Sequence, residues 1–196
     1  MRRSIAASAL CLQLIALTGA AADPATVPEI KRTSLALYLT AEEAFEMVRS
    51  QPASTLFLDI RSIGEVAFVG MPAMVDANVP YMLQSEWNEW DEAKHTVKLV
   101  ANLHFSEEVA ARLAEKGLTR ADPIVLICRS GDRSAAAANV LAQIGYSRVY
   151  SVIDGFEGDL AKDGPTQGQR SVNGWKNAHL PWSYTLQREK MYRPEK

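Results

Sequence analysis

Cysteine is scarce in this sequence, because the 196 residues contain only Cys11 and Cys128. Cys11 lies in an apolar N-terminal stretch that we expect to be removed, so the mature protein would hold a single thiol. One thiol excludes an internal disulfide, even in an oxidising compartment. Such a thiol is either buried and unreactive or takes part in a reaction.

Positive charge is also limited and dispersed. The chain has 21 basic and 23 acidic residues, and loss of Arg2 and Arg3 with the N-terminal stretch leaves 19 against 23, a net charge of −4. Without a basic stripe or a run of Lys and Arg, nucleic acid is not an expected partner. His95, His104 and His179 are scattered without the spacing of metal ligands, so we expect neither a metal site nor a cofactor.

The longest apolar run lies at the N-terminus. Basic residues 2–3 precede apolar residues 5–17, and the small residues 20–22 supply cleavage positions. This order predicts a signal peptide over 1–22, a mature start at Asp23, a periplasmic or secreted location and no stable membrane span after cleavage. An uncleaved membrane anchor is the alternative, because the segment is nearly long enough to span a bilayer.

The rest of the chain divides into three parts. Residues 23–33 contain two prolines and little periodicity, which predicts a linker. Residues 34–162 alternate short apolar runs with amphipathic stretches, a pattern typical of an α/β domain with a parallel sheet. Residues 163–196 are predicted to be a C-terminal extension that packs back on the domain. Four residues would supply that packing: Trp175, Leu180, Pro181 and Trp182.

Local patterns predict the individual elements. The predicted strands are 35–39, 55–60, 74–80, 124–127 and 148–152. The predicted helices are 41–50 after a capping box of Thr40 and Glu43, 107–116 after an N-cap at Ser106, and 134–144. Residues 84–99 are predicted as helix and loop, in which Trp87 and Trp90 form a packed ridge or, alternatively, a rim of the substrate pocket.

The most informative segment is 128–134, Cys-Arg-Ser-Gly-Asp-Arg-Ser. The preceding strand delivers Cys128 into a turn that opens into a helix, so backbone N–H groups and the positive end of the helix dipole converge near the sulfur. Arg129 and Arg133 add full charges, and such a setting favours the reactive thiolate. The Gly, Ser and Arg content argues against burial of the cysteine in a core. A nucleophile in an anion cradle predicts transfer chemistry on a small anionic substrate.

Neighbouring residues have predicted supporting roles. Gly131 permits a turn that a larger residue resists, and Ser134 is predicted to cap the following helix. Asp132 is unexpected in an anion site and would point outward or pair with an arginine. Asp59 and Arg61, at the end of another strand, are predicted to be a supporting pair, since ligands bind beyond the carboxyl ends of parallel strands.

Three segments together resemble the rhodanese family of sulfurtransferases. Residues 56–61 with Glu65 beyond resemble the family's first signature, 124–134 its active loop, and 145–158 its closing signature. The first signature departs from the family pattern, because Gly70 is followed by Met-Pro where the family has Gly-His and then an Ile-Pro-Gly-Ala stretch. The resemblance covers about residues 40–160.

The resemblance implies a rhodanese domain over 34–162, with a rhodanese-like central parallel sheet flanked by helices on both faces. It also implies transfer of sulfane sulfur through a persulfide on Cys128, the catalytic residue. The N–H groups of residues 129–134 would cradle the persulfide or the substrate anion. The substrate-binding residues would be Arg129, Ser130, Gly131, Asp132, Arg133 and Ser134. Expected partners are a small sulfur-donor anion such as thiosulfate and, for the acceptor, a protein thiol.

Loop length separates the competing functions. Four residues lie between Cys128 and Arg133, whereas the related cell-cycle dual-specificity phosphatases have five, which favours sulfur over phosphate. The leading expectation is therefore a catalytic sulfurtransferase using thiosulfate or a similar donor. A non-catalytic sulfur carrier or protein-interaction module with the same fold is the alternative, and phosphatase or arsenate reductase activity is disfavoured.

Overall fold

The computed structural model of the protein describes residues 24–193, so the predicted signal peptide lies outside the described residues. Within 24–193, no helix is long and apolar enough to cross a membrane. The helices are α1 (Ala41–Ser50), α2 (Ile63–Val69), α3 (Phe105–Glu115) and α4 (Asp132–Gln143). The strands are β1 (Tyr38–Leu39), β2 (Leu56–Asp59), β3 (Met71–Pro72), β4 (Ala77–Asn78), β5 (Met82–Gln84), β6 (Trp90–Asp91), β7 (Thr96–Val97), β8 (Leu99–Ala101), β9 (Ile124–Ile127), β10 (Val149–Val152) and β11 (Trp182–Ser183).

A five-stranded parallel sheet forms the centre of the domain, in the order β1-β10-β9-β2-β4. Every residue of β2 and β9 is buried. Both strands are therefore covered on their two faces, as expected for apolar strands in a parallel sheet. The predicted α/β class is confirmed.

The helices lie on both faces of the sheet, as predicted. Alternate side chains of a strand point to opposite faces. Leu56 and Leu58 of β2 pack in one apolar cluster with side chains of α3 and α4. Phe57, between them, packs in a second cluster with side chains of α1 and α2.

Two capping boxes start helices near the site. Before α1, Thr40 N–H donates to Glu43 at 2.7 Å and Thr40 Oγ1 accepts from Glu43 N–H at 3.2 Å, which confirms the predicted box. Ser62 and Glu65 form an equivalent box before α2, which the sequence reasoning missed. Each box satisfies backbone donors that would otherwise lack partners.

The predicted N-cap at Ser106 is wrong. Helix α3 begins at Phe105, so Ser106 already lies inside it. Phe105 is 2% exposed and belongs to the core, and its N–H donates to Asn102 O at 3.1 Å. The helix therefore starts where this aromatic side chain enters the core, and the serine does not set its boundary.

The prediction of helix for residues 84–99 is also wrong. The segment carries two short antiparallel pairs, β5 with β8 and β6 with β7. Trp87 is 84% exposed and Trp90 is 54% exposed, so they form no packed ridge. Hydrogen bonding between paired strands determines this structure, and strands of two residues are too short to be recognised in the sequence.

The C-terminal extension packs on the face of the sheet that carries α1 and α2. Trp175 is fully buried, its ring lies 5.5 Å from that of Phe57, and its Nε1 donates to Pro181 O at 2.9 Å. Strand β11 pairs with β3, opposing Trp182 and Pro72. The residues after the closing signature are thus part of the core around the sheet.

Candidate active site

Cys128 directly follows β9, and its loop leads straight into α4. The helix begins at Asp132, two residues earlier than predicted, with Gly131 at the position before it. Gly131 has φ 101°, and a Cβ there would lie 2.1 Å from Ile153 O. Only glycine accommodates both this left-handed backbone and this close approach.

The sulfur of Cys128 is surrounded by hydrogen-bonding groups. Gly131 N–H donates to Sγ at 3.1 Å, Ser134 Oγ lies 3.6 Å away, and the Asp132 Oδ1 lies 4.0 Å away. An N–H group in this position stabilises negative charge on sulfur, whether on a thiolate or on a persulfide. One backbone N–H of the loop, that of Gly131, thus lies at the sulfur, and the binding of a substrate anion by the loop stays a prediction.

Cys128 is nevertheless fully buried, so the prediction that its loop would keep it out of the core is wrong. The closing segment 154–158 covers it: Phe156 N–H donates to Cys128 O at 2.8 Å and Glu157 N–H donates to Arg129 O at 3.0 Å. Gly155 has φ 66°, and a Cβ there would lie 2.5 Å from the backbone of Arg129. Cys128 also belongs to the apolar cluster that contains Leu56 and Leu58, so core packing and the closing segment together bury the residue.

Ser134 does not cap α4, contrary to prediction, because it is the third residue of the helix. Its Oγ donates to Gly131 O at 2.9 Å and lies 2.9 Å from Ser151 Oγ on β10. The N-cap residue is Gly131, which has no side chain that could accept a hydrogen bond from the helix. The first N–H groups of α4 thus have neither intrahelical partners nor a capping side chain.

Asp132 neither points away from the loop nor pairs with an arginine. Its Oδ1 accepts from Ser130 Oγ at 3.4 Å and is the same atom that lies 4.0 Å from the sulfur of Cys128. The carboxylate is an acceptor within reach of the thiol proton. Ser130 fixes its orientation.

Arg133 forms a bidentate ion pair with Glu65. Nη1 donates to Oε2 at 2.8 Å and Nη2 donates to Oε1 at 2.6 Å. Burial alone would raise the pKa of Glu65, but the hydrogen bonds and charge of Arg133 outweigh it and lower this pKa to about 2. Burial would lower the pKa of Arg133, and Glu65 raises it instead. Arg133 therefore ties α4 to α2, and its binding of donor oxygens stays a prediction for the N–H groups that Glu65 leaves free.

Asp59 and Arg61, the predicted supporting residues, form a buried ion pair at the end of β2. Both side chains are fully buried, and Arg61 Nη2 donates to Asp59 Oδ2 at 2.6 Å and to Gly70 O at 2.7 Å. The guanidinium lies 3.9 Å from the ring centroid of Phe156. Arg61 thereby supports the closing segment that covers Cys128.

Arg129 is the cation of the loop that remains available. Its side chain is exposed, and no group in residues 24–193 forms an ion pair or a side-chain hydrogen bond with it. It follows Cys128 by one residue, at the carboxyl end of the central strand. An exposed guanidinium here can bind the oxygens of an anion.

Two contacts of the site were missed in the sequence. Glu65 was recognised only as part of a signature, although it pairs with Arg133 across 68 positions. Phe156, also part of a signature, supplies the ring over which Arg61 lies. Both depend on tertiary contacts.

The comparisons with known proteins agree with this geometry. The Rhodanese-like domain family matches residues 40–162. Uncharacterized protein RP600 of Rickettsia prowazekii is 30% identical over 131 residues, covering 67% of this chain and 85% of that protein. Thiosulfate sulfurtransferase 18 of Arabidopsis thaliana is 31% identical over 121 residues, 59% of this chain and 78% of that protein. The crystal structure of Rv0390 from M. tuberculosis has a TM-score of 0.54 and 30% identity, covering 76% of this chain and 97% of the other.

Proposed function

Since this chain belongs to the rhodanese-like domain family, we propose that it is a sulfurtransferase. It would move the sulfane sulfur of thiosulfate or a similar donor to a thiophilic acceptor, through a persulfide on Cys128. The observation that carries the proposal is the Gly131 N–H aimed at Cys128 Sγ from 3.1 Å, at the start of α4. The distant thiosulfate sulfurtransferase relative supports the same chemistry.

In the first half-reaction, the Cys128 thiolate attacks the outer sulfur of thiosulfate. A bond forms between the two sulfurs, the S–S bond of thiosulfate breaks, and its electron pair leaves with sulfite. The enzyme then carries Cys–S–S⁻. Gly131 N–H lies where it stabilises this anion, and the closing segment over Cys128 shields the persulfide from water.

In the second half-reaction, a nucleophile attacks the outer sulfur of the persulfide. Cyanide gives thiocyanate, and a thiolate gives a new persulfide, while the Cys128 thiolate departs with the bonding electron pair. No net oxidation or reduction of the protein occurs over the cycle. The site therefore needs no cofactor for this chemistry.

The loop supports sulfur transfer over phosphate transfer. Four residues separate Cys128 from Arg133, fewer than the cradle around a phosphate needs. Both carboxylate oxygens of Glu65 also engage Arg133, which leaves fewer of its N–H donors for an oxyanion at the loop. Both features disfavour phosphatase or arsenate reductase activity.

A sulfur carrier for one protein partner is the second candidate. Trp87 and Trp90 are exposed on the hairpin segment between β5 and β8, and exposed large apolar side chains mark interaction surfaces. A carrier would hold the persulfide stably and would turn over poorly with small acceptors. The rate with cyanide distinguishes the two functions.

Turnover with thiosulfate and cyanide, followed through thiocyanate release, tests the proposal. Wild-type protein is expected to turn over, while Cys128→Ser is expected to lose all activity and keep its unfolding midpoint. The hydroxyl is similar in size to the thiol but does not form a persulfide. Activity retained by Cys128→Ser would refute the persulfide mechanism.

We further propose that the protein acts in the periplasm or outside the cell. The apolar run 5–17 between a basic start and small residues supports this proposal. N-terminal sequencing of protein from its native host is expected to begin at Asp23. An intact N-terminus on a membrane-bound protein would favour the uncleaved anchor.

A further inference from the structure

The C-terminal extension brings a further arginine, Arg170, to the closing segment 154–158. Arg170 Nη1 donates to Gly158 O at 2.6 Å, and Gly158 N–H donates to Arg129 O at 3.3 Å. One residue of the closing segment therefore connects the Arg170 guanidinium to the backbone of Arg129. Two contacts hold the backbone of Arg170 in place. Leu160 forms a β-bridge with Arg170, and Asn177 Nδ2 donates to Arg170 O at 3.2 Å.

The charges of the two arginines act on each other. Burial lowers the pKa of Arg170, and the positive charge of Arg129 lowers it further. Three carboxylates oppose this effect, those of Glu157, Asp132 and Asp159. Two of them have partners of their own, because Asp159 pairs with Lys31 at 2.8 Å and Asp132 accepts from Ser130.

Two like charges held close together repel each other, and an anion between them relieves that repulsion. Arg129 is exposed and has no side-chain partner within the described residues, while the hydrogen bond to Gly158 occupies Arg170 at Nη1. Each guanidinium carries five N–H donors, so both have donors left for a ligand. Arg129 directly follows Cys128 and Arg170 is hydrogen-bonded to the closing segment next to this loop, and two such cations match a ligand with several negatively charged oxygens.

We propose that Arg170 binds the anionic oxygens of the sulfur donor together with Arg129, and that this pair makes the site selective for small dianions such as thiosulfate. The inference rests on the proposed function and deepens it, because it names the residues that select the substrate class. Arg170 lies outside the matched family region of 40–162, so the C-terminal extension supplies this selectivity.

The two arginines also account for the leaving group. When the Cys128 thiolate takes the outer sulfur, the electron pair of the broken S–S bond moves onto sulfite. The three oxygens that the arginines hold in thiosulfate remain in sulfite. Guanidinium groups on those oxygens stabilise the departing dianion as its charge concentrates.

Steady-state kinetics of Arg170→Gln test the inference in the active protein. We expect KM for thiosulfate to rise about tenfold, the size of one lost charge-assisted hydrogen bond, with kcat changed less than about twofold. Arg170→Lys keeps the charge and is expected to recover part of the loss. Lys162→Gln removes an exposed cation between Leu160 and Arg170 and is expected to leave KM unchanged.

A binding measurement separates this inference from the proposed function. Calorimetry with thiosulfate on Cys128→Ser is expected to show binding that Arg170→Gln weakens about tenfold in the double variant. If this holds while wild-type protein does not turn over, the inference stands and the proposed function falls. If Arg170→Gln turns over with unchanged KM, or if Cys128→Ser does not bind thiosulfate, the inference is wrong.

Discussion

At the scale of single residues, the two arginines of the loop have different surroundings. Arg133 donates to Glu65 from both of its terminal nitrogens, whereas Arg129 is exposed beside Cys128. They look alike in the sequence, because each stands in a short Gly- and Ser-rich turn. The partner of Arg133 lies 68 positions away, which no local pattern reveals.

The ion pair between Arg133 and Glu65 is expected to stabilise the fold. Its side chains are 11% and 21% exposed, so removal of either one leaves a largely desolvated charge. Arg133→Ala and Glu65→Gln should each cost about 2 kcal/mol of unfolding free energy. Urea unfolding of both variants and of the double variant measures the coupling, which should exceed about 1 kcal/mol. Additive losses would contradict the pairing.

Gly155 offers a direct test of how the closing segment positions Cys128 and its loop. A Cβ there would lie 2.5 Å from the backbone of Arg129, so Gly155→Ala should displace the loop and lower turnover by on the order of a hundredfold. Gly117 has a similar φ of 70° with nothing within 4 Å of a Cβ. Gly117→Ala is therefore the matched control. It is expected to lower the free energy of unfolding by about 1 kcal/mol and to leave turnover unchanged. Equal turnover in both variants would contradict the role of the contact.

The position of Cys128 between a strand and a helix was predicted correctly from the sequence, but its exposure was not. Cys128 was found because an apolar strand, a Gly-containing turn and a helical stretch follow one another along the chain. Burial depends on parts of the chain that are distant in sequence, because Cys128 joins the apolar cluster around β2 and the closing segment donates hydrogen bonds to the backbone of residues 128 and 129. A polar loop sequence therefore does not imply an exposed loop.

At the scale of elements, local signals predicted some boundaries and not others. Strand β9 lies over the predicted residues, and α1 begins after the predicted capping box, because an apolar run and a Thr-to-Glu pair are each complete within a few residues. Helix α4 starts before the prediction because its turn is fixed by Gly131 against Ile153 O. The hairpin segment between β5 and β8 was missed because strands of two or three residues are defined by their partners.

The C-terminal extension is expected to contribute to stability through Trp175. This side chain is fully buried and contacts the rings of Phe45 and Phe57, so Trp175→Ala should cost about 3–5 kcal/mol. Trp87→Ala removes the same chemical group from an 84% exposed position and should cost less than about 0.5 kcal/mol. Urea unfolding compares them, and similar losses would show that the extension does not share the core.

At the scale of the whole molecule, two carboxyl groups act on stability in opposite directions as pH changes. Arg133 lowers the pKa of Glu65, against its burial, from 4.5 to about 2, so this group stabilises the fold above pH 4.5 and loses that effect as pH falls towards 2. Burial raises the pKa of Asp154 from 3.8 to about 6, so its ionisation destabilises the fold as pH rises through 6. Each effect is on the order of 3 kcal/mol.

As pH is lowered from 7 to about 4.5, the free energy of unfolding is therefore expected to rise because Asp154 becomes protonated. As pH is lowered further, it is expected to fall because Glu65 becomes protonated. The Asp154 Oδ1 has no hydrogen-bond partner within the described residues, while Oδ2 accepts from Gly174 N–H at 3.3 Å. Asp154→Asn should abolish the rise, and Glu65→Gln should abolish the fall. Urea midpoints across this range provide the measurement, and an Asp154→Asn protein that keeps the rise would contradict the assignment.

The central claim is that Cys128 carries a sulfur atom, and the intact mass of the purified mature protein tests it most directly. After thiosulfate, the mass should increase by one sulfur. After cyanide, that increase should disappear, with thiocyanate released, and Cys128→Ser should show neither change. A wild-type protein that gains no sulfur from thiosulfate would contradict the account and leave a rhodanese fold that serves a specific partner or binding alone.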